Sequence, residues 1–428
     1  MRSDGGARLY DDVVGWAARM AGAAIRATGR GQGTTLPGVL AEWCAPGITL
    51  RRAAAADRLV LVSGTNGKTT TTAMLTATLA ADGRRVASNT SGSNLYRGLT
   101  TALLGARPQT QDAVLEVDEA VLPRAIDDLR PDLVVLLNLT RDQLDRHHEV
   151  QRLAEGWRAA LGRLPAAATV VADGADPRVA WAAEAAPRTV LVWLHARTPG
   201  RDGVSCPACG GLLSQADSGR YRCNRCGWSP VPPAVEAERQ GHEISLHGFG
   251  TGSRTRLAVA TPGYALDAAA AWAAGIWLGA DPWRSAAAIA RLGTVQDRYA
   301  DASWQGIPLR LLLAKNPAGW DEALSAAADP DRTAVVAVNG GGPDGRDTSW
   351  LWDVDMGRLR QRPLVVATGA RAEDAALRLE VAGVPCAVMR PLGQAIARAG
   401  ARPGDHRVDL FADYTSFQQA RRLISKDG

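Results

Sequence analysis

The apolar run Leu59-Val60-Leu61-Val62 passes directly into Ser63-Gly64-Thr65-Asn66-Gly67-Lys68-Thr69-Thr70, and this junction restricts the chain to few architectures. The run reads as a buried parallel strand. Thr71-Thr72-Ala73-Met74-Leu75 reads as the continuation of a helix. Strand, glycine-rich turn, lysine, threonine and helix, in that order, hold a nucleoside triphosphate. Gly64 and Gly67 let backbone N–H groups from Thr65 to Thr70 close around phosphate oxygens. Lys68 supplies a point charge to the terminal phosphates, and the Thr69 hydroxyl can ligate Mg²⁺. The spacing is short: two residues separate the glycines instead of the usual four, and Val62 stands where the first glycine would be.

A length of 428 residues favours two or three domains, and a hydrophobic fraction of 46% is ample for ordinary cores. A formal charge of +5 is too small to argue for specific nucleic-acid binding. No secretory leader is readable at Met1-Arg2-Ser3-Asp4, and the most apolar stretch, Ala268 to Ala280, is too short to span a bilayer. The expected location is the cytoplasm.

Residues 1–56 form an expected N-terminal helical segment, with a helix near Tyr10–Ala27. Val13, Val14, Trp16, Ala17, Met20, Ala21 and Ala24 can share one face of it, with Arg19, Arg26 and Arg30 nearby. Packing of that face on its own domain is preferred to a membrane-surface role. From Asp57, strands at Leu59–Val62, Ala113–Val117, Leu133–Leu137, Thr169–Val171 and Thr189–Trp193 alternate with helices, implying a parallel α/β sheet with ligands at the carboxyl ends of its strands. Residues 201–232 interrupt the rhythm. Strands at Ile244–His247 and Leu257–Ala260 and an alanine-rich helix, Leu266–Trp277, follow. A second α/β unit has strands at Leu309–Ala314, Ala334–Asn339, Leu364–Thr368 and Cys386–Met389. The expected division is 1–56, a central domain at 57–303 and a C-terminal domain at 304–428.

Four of the six cysteines form two pairs, Cys206-Pro207-Ala208-Cys209 and Cys223-Asn224-Arg225-Cys226, separated by thirteen residues. Two such knuckles close a tetrahedral Cys₄ site for Zn²⁺. A closed site leaves no position for substrate, so the metal is structural. The insert lacks the basic, aromatic-rich face of a nucleic-acid-binding ribbon. Cys44 and Cys386 read as buried thiols.

Leu115-Glu116-Val117-Asp118-Glu119 ends a strand on the nucleotide side, where Glu116 can hold Mg²⁺. Leu137-Asn138-Leu139-Thr140-Arg141-Asp142-Gln143-Leu144-Asp145-Arg146-His147 resembles the Asn-x-x-x-Asp-His-Leu-Asp-x-His segment of the Mur ligases, with Gln143 in place of a metal-facing histidine. Asp173-Gly174-Ala175-Asp176-Pro177 resembles their Asn-x-Asp-Asp-Pro turn. The Gly-Thr-Asn-Gly-Lys-Thr loop resembles that of the ATP-dependent Mur ligases and folylpolyglutamate synthases. Three further features narrow the resemblance: the Cys₄ insert, Ala314-Lys315-Asn316-Pro317-Ala318-Gly319, and Asp344-Gly345-Arg346-Asp347-Thr348-Ser349-Trp350. Together they resemble the MurT family, over nearly the whole chain from Gly33.

The resemblance implies a Mur-ligase-like central domain with an inserted zinc ribbon and a smaller α/β C-terminal domain. It implies ATP- and Mg²⁺-dependent amidation of the D-Glu α-carboxylate of lipid II through an acyl phosphate. Ammonia would come from a GatD-type glutaminase in a heterodimer. Lys68 and Glu116 would act at the transferring phosphoryl group, and Asn138, Lys315 and Asn316 would contact nucleotide. Asp347 would complete the partner's Cys-His pair as its acidic member. Work at the inner face of the membrane, with bilayer contact only through the substrate, follows from the same resemblance. The chain departs from the family where an Asn-x-x-Asn-Ala helix start becomes Leu266-Asp267-Ala268-Ala269-Ala270-Ala271, so that base selectivity or nucleotide affinity would differ unless a residue such as Asp267 substitutes. A second departure is Asn339-Gly340-Gly341 in place of Asn-Asp-Asn. Two alternatives stand beside the amidase: a ligase that adds an amino acid, and a non-catalytic nucleotide-binding subunit.

Overall fold

The apolar runs become the inner strands of a nine-stranded sheet. The computed structural model describes residues 4–27, 35–89, 93–105, 110–140, 150–195, 201–215, 220–294, 299–341, 347–401 and 407–427. The chain divides into two compact units, one of residues 1–139, 151–258 and 262–293, the other of 140–150, 259–261 and 294–428. Among the described residues no helix is long and apolar enough to cross a membrane.

The first unit opens with α1 (Asp4–Ala27), α2 (Leu36–Cys44) and α3 (Ile48–Ala53). Then come β1 (Arg58–Ser63), α4 (Lys68–Ala81), β2 (Val86–Ser88), α5 (Tyr96–Gly105), β3 (Asp112–Glu116), α6 (Leu122–Leu129) and β4 (Leu133–Leu136). α7 (Val150–Leu161), β5 (Thr169–Asp173), α8 (Pro177–Ala183) and β6 (Thr189–Leu194) lead to a hairpin of β7 (Leu213–Gln215) and β8 (Tyr221–Cys223). β9 (Val235–Gln240), β10 (Glu243–Gly248), β11 (Thr251–Arg256), α9 (Pro262–Trp277) and α10 (Pro282–Arg291) complete it. The sheet order is β11-β10-β9-β6-β5-β4-β1-β3-β2. Strands β1 to β6 and β9 pair in parallel, and β9, β10 and β11 pair antiparallel. The continuous apolar sequence of β1, β3, β4 and β5 follows from burial on both faces.

One expectation fails at the antiparallel edge. Leu257–Ala260 is not a strand; the strand is β11, just before it, and β9 was also unread. Both alternate buried and open positions because one face meets solvent, so neither carries an apolar run.

Helix α1 packs on α2 and α5, as expected, but through the opposite face. Asp11, Gly15, Ala18 and Gly22 are buried, while Val13, Trp16, Ala17, Met20 and Ala24 are exposed. Small residues on the inner face allow close approach, and polar ties fix it. Asp11 accepts from Arg51 at 2.7 and 2.8 Å, Asp12 from Arg52 at 2.6 Å, and Arg19 donates to the Leu104 carbonyl.

In the second unit, β12 (Tyr299–Trp304), β13 (Ile307–Leu313), α11 (Pro317–Ala326), β14 (Thr333–Ala337) and β15 (Val365–Thr368) come first. α12 (Ala372–Val381), β16 (Ala387–Val388), α13 (Leu392–Gly400), β17 (Val408–Ala412) and α14 (Tyr414–Asp427) follow. Its sheet runs β12-β13-β17-β14-β15-β16, parallel except for β12 on β13. β12 belongs here, so the expected boundary at 303/304 moves to 293/294. β17, absent from the sequence reading, is an inner strand. It carries the fully buried Asp409, which accepts from Arg310 at 2.8 and 3.0 Å, Arg362 at 2.8 Å and Arg332 at 3.3 Å.

Candidate active site

β1 delivers the chain into Gly64-Thr65-Asn66-Gly67, and α4 begins at Lys68. Gly64 and Gly67 have φ of +147° and +88°, values that L side chains resist. Space is closed as well: a Cβ on Gly64 would lie 2.9 Å from the Leu137 Cβ, and one on Gly67 would lie 2.1 Å from Asp267 Oδ1. The loop is held by the segment after β4. Thr65 N–H donates to the Asn138 carbonyl at 2.8 Å. Asn66 N–H donates to Asn138 Oδ1 at 3.0 Å, and Asn138 Nδ2 returns a bond to the Asn66 carbonyl at 3.0 Å. Asn138 thus clamps the loop from behind.

Lys68 Nζ donates to the carbonyls of Gly64 and Thr65 and pairs with Glu119 at 3.1 Å. Thr69 Oγ1 donates to Glu116 Oε2 at 2.7 Å, with both residues buried. The sequence reading singled out Lys68, Thr69 and Glu116, and the Thr69–Glu116 bond joins two of them. It missed what aims Glu116. Asn89 Oδ1 accepts from Glu116 N–H at 2.7 Å, Asn89 Nδ2 donates to the Glu116 carbonyl at 2.8 Å, and Asn94 Nδ2 donates to Oε1 at 3.3 Å. Two asparagines in a polar stretch after a short strand were the available signal. Glu119 and Asp267 are further acids beside the loop. Tyr264, one turn before Asp267, has its phenol pushed up to about 12 by burial first and by Asp267 second.

A buried hydroxyl and a cap link the ribbon to this clamp. Tyr221 on β8 donates from its hydroxyl to the Gly174 carbonyl at 2.5 Å and packs with Trp193 and Trp228. Asp176 caps α8 by accepting from Arg178 and Val179 N–H, and its other oxygen accepts from Leu139 N–H at 2.9 Å. Leu139 directly follows Asn138. Arg141 to His147 lie outside the described residues.

The four ribbon cysteines converge, all sulfurs lying within 4.8 Å of one another. Cys206 and Cys226 Sγ are 3.7 Å apart, and Cys209 and Cys223 Sγ 3.5 Å. Four Zn–S bonds of about 2.3 Å in a tetrahedron require sulfurs about 3.8 Å apart, so the donor set fits Zn²⁺. Backbone N–H groups of Cys226 and Arg225 hold the Cys223 thiol down, to about 6, whereas burial pushes Cys206 up to about 12. Cys44, expected buried, is exposed; Cys386 is partly buried.

In the second unit, Asn316 is buried and caps α11 by accepting from Gly319 N–H at 2.7 Å; Lys315 precedes it. Asp347 is exposed. Its carboxylate accepts from Ser349 N–H at 2.8 Å and Ser349 Oγ at 3.0 Å, and the backbone bond chiefly holds it below the ordinary carboxylate range. Trp352, also exposed, lies in the short 3₁₀ turn that follows, Ser349–Asp353. Asn339, at the second departure, is tied to Asp413 and Ser416; residues 342–346 lie outside the described set.

Residues 62–198 match the Mur ligase middle domain, and residues 313–417 match the MurT ligase C-terminal domain. Among solved structures, a pseudomurein peptide ligase type C from Methanothermus fervidus aligns with TM-score 0.69 at 20% identity, covering 86% of this chain and 78% of that one. MurF ligase from Thermotoga maritima in complex with ADP aligns with TM-score 0.64 at 17% identity, covering 89% and 82%. These establish a Mur-ligase fold. The subunit MurT of lipid II isoglutaminyl synthase (glutamine-hydrolyzing) from Staphylococcus aureus strain COL is 29% identical over 89% of this chain and 90% of its own length. The same subunit from Streptococcus pneumoniae is 30% identical over 92% of this chain and 93% of its own. Likeness of that extent, spanning both units and the ribbon between β6 and β9, makes this chain a member of the MurT family.

Proposed function

We propose that the chain is the ATP-consuming subunit of an enzyme that amidates the D-Glu α-carboxylate of the lipid II stem peptide to D-isoglutamine. The observation that carries the reading is one chain holding both an intact phosphate loop, with Lys68 and the Thr69–Glu116 pair, and a MurT-type unit exposing an ionised Asp347. A carboxylate resists amines because hydroxide leaves poorly. In the first step a carboxylate oxygen attacks the γ-phosphorus of ATP, the bond to ADP breaks, and an acyl phosphate forms. In the second, ammonia attacks the carbonyl carbon, the C–O bond to phosphate breaks, and the amide forms with loss of a proton.

Lys68 is the cation for the transferring group, and phosphate oxygens would displace its present partner Glu119. Glu116 and Thr69 suit Mg²⁺, which when bound supplies further charge neutralisation there. The asparagines Asn89 and Asn94 keep Glu116 facing Thr69. Gly67 and Thr70 offer backbone N–H groups, while those of Thr65 and Asn66 are spent on Asn138, which keeps the loop in register. From the second unit, Lys315 and Asn316 supply nucleotide contacts in this reading. Asp347 would orient the imidazole of a GatD-type glutaminase partner, with Ser349 fixing its rotamer. Zn²⁺ at the ribbon is structural. The lipid-linked acceptor places the work at the cytoplasmic membrane face.

The test is co-purification with the glutaminase, then mass analysis of lipid II incubated with ATP, Mg²⁺ and glutamine. Conversion of acid to amide is expected. ATP turnover with no mass change on lipid II would assign a different acceptor, and absence of turnover in a stable complex would make the subunit non-catalytic.

A further inference from the structure

Among the described side chains of helix α1, most of the large apolar ones lie on the outside; Val14 alone of them packs inward. Val13 is 57% exposed, Trp16 60% and Met20 54%, and they recur every three or four residues along one stripe with Tyr10 and Ala17. Trp43, on the neighbouring α2, is 82% exposed, and Leu36 and Leu50 are exposed beside it in sequence on α2 and α3. The inner face is already occupied by packing on α2 and α5, so the helix needs no further partner to stay docked. A stripe of this length is costly in water unless something covers it.

Charge selects what covers it. Residues 1–56 contain seven arginines and four acids, a formal balance of +3. Three of the acids are turned onto their own domain. Asp11 and Asp12 pair with Arg51 and Arg52, and Glu42 accepts from Gly47 N–H, Thr49 N–H and the Thr49 hydroxyl. An amphipathic helix with tryptophan, methionine and valine outward, in a cationic segment, has the composition of an element that lies in the interface of an anionic bilayer. A protein partner or a second copy would not by itself call for the positive balance.

We propose that α1 is a monotopic membrane contact, seating Val13, Trp16 and Met20 among the acyl chains of an anionic lipid surface. This deepens the lipid-linked acceptor reading, because it holds the subunit on the surface where such a substrate lies. Its test uses vesicles with no acceptor, so its failure leaves the amidation reading standing.

The full-length chain is floated with phosphatidylglycerol–cardiolipin vesicles and, separately, with phosphatidylcholine vesicles. Flotation with the anionic vesicles, weakened by added salt, is expected. Trp16→Ser/Met20→Ser should weaken it on the order of tenfold for each side chain removed, with the thermal unfolding midpoint unchanged because both residues are exposed. Asp11→Asn, on the opposite face, serves as a second variant and should float like the parent where α1 stays docked. Absence of flotation, or flotation unaffected by the double substitution, overturns the proposal. So does concentration-dependent dimerisation, or glutaminase binding, that depends on Trp16 while vesicles are ignored.

Discussion

Replacing Asn138 by alanine tests whether the phosphate loop is preorganised from behind. The substitution deletes two hydrogen bonds to the backbone of Asn66 and spares the third contact, Thr65 N–H to the residue-138 carbonyl. Each lost bond is worth about 1 kcal/mol net, so the loop loses about 2 kcal/mol of tethering. If that tethering is what holds the loop N–H groups ready for phosphate, nucleotide affinity falls about thirtyfold. Asn66 is only partly buried, so water re-solvates its freed groups and the effect stays near this value. Spread over the whole unit, 2 kcal/mol would lower the unfolding midpoint by about 4–8 °C; confined to the loop, it would hardly move it. Titration with a fluorescent ATP analogue, beside a thermal melt, separates the two. Asn138→Asp is the sharper variant, since it keeps an acceptor for Asn66 N–H, loses the donor and sets a negative charge behind the phosphates. It should bind more weakly than the alanine variant. Unchanged affinity in Asn138→Ala with a lowered midpoint would make Asn138 a structural tie only and refute the reasoning.

Asp347→Asn should abolish glutamine-driven amidation while sparing nucleotide binding and amidation from added ammonium; intact glutaminase activity in the complex would remove Asp347 from that role. Cys206→Ser should lose Zn²⁺ and lower the unfolding midpoint, and stoichiometric zinc at parental affinity in that variant, read by metal analysis, would overturn the Cys₄ assignment. Gly67→Ala must hold φ at +88° and meet Asp267 at 2.1 Å; the backbone alone costs about 1–2 kcal/mol, so nucleotide binding should stay impaired in Gly67→Ala/Asp267→Ala, and full recovery there would show that the clash alone mattered. The Arg51 hydrogen bond chiefly holds the Asp11 carboxyl below its ordinary value. Its stabilisation of α1 is therefore complete above the unfolded value of about 3.9 and is lost as pH falls through the depressed folded value. Hydrogen exchange of α1 should accelerate on that acid limb, and Asp11→Asn should flatten the dependence.

Where one element carries its own signal, the sequence was sufficient. The loop glycines, Lys68 and Thr69 announce themselves beside β1, and the cysteine knuckles announce the ribbon. What stayed hidden depends on partners remote in the chain. Val408-Asp409-Leu410 does not read as an inner strand, because a lone aspartate there is tolerable only once Arg310, Arg332 and Arg362 surround it. Asn89 and Asn94 acquire meaning only when β3 brings Glu116 alongside. For α1, periodicity showed two faces but could not say which was inward. The choice was made by small residues against α2 and α5 and by Asp11 reaching Arg51, against the usual rule that the larger apolar face is buried.

The position of β17 has a consequence for biosynthesis. In the second sheet it lies between β13 and β14, yet it is the latest of the six strands to be made. Until it emerges from the ribosome, β13 and β14 each present an open parallel edge, and the arginines at 310, 332 and 362 have no carboxylate between them. The first unit can complete its sheet while synthesis continues; the second must wait, held as loosely collapsed segments with adhesive edges. A nonsense or frameshift lesion after β14 and before Val408 should therefore yield a chain with a folded nucleotide unit and an aggregation-prone tail, rather than a shortened but usable subunit.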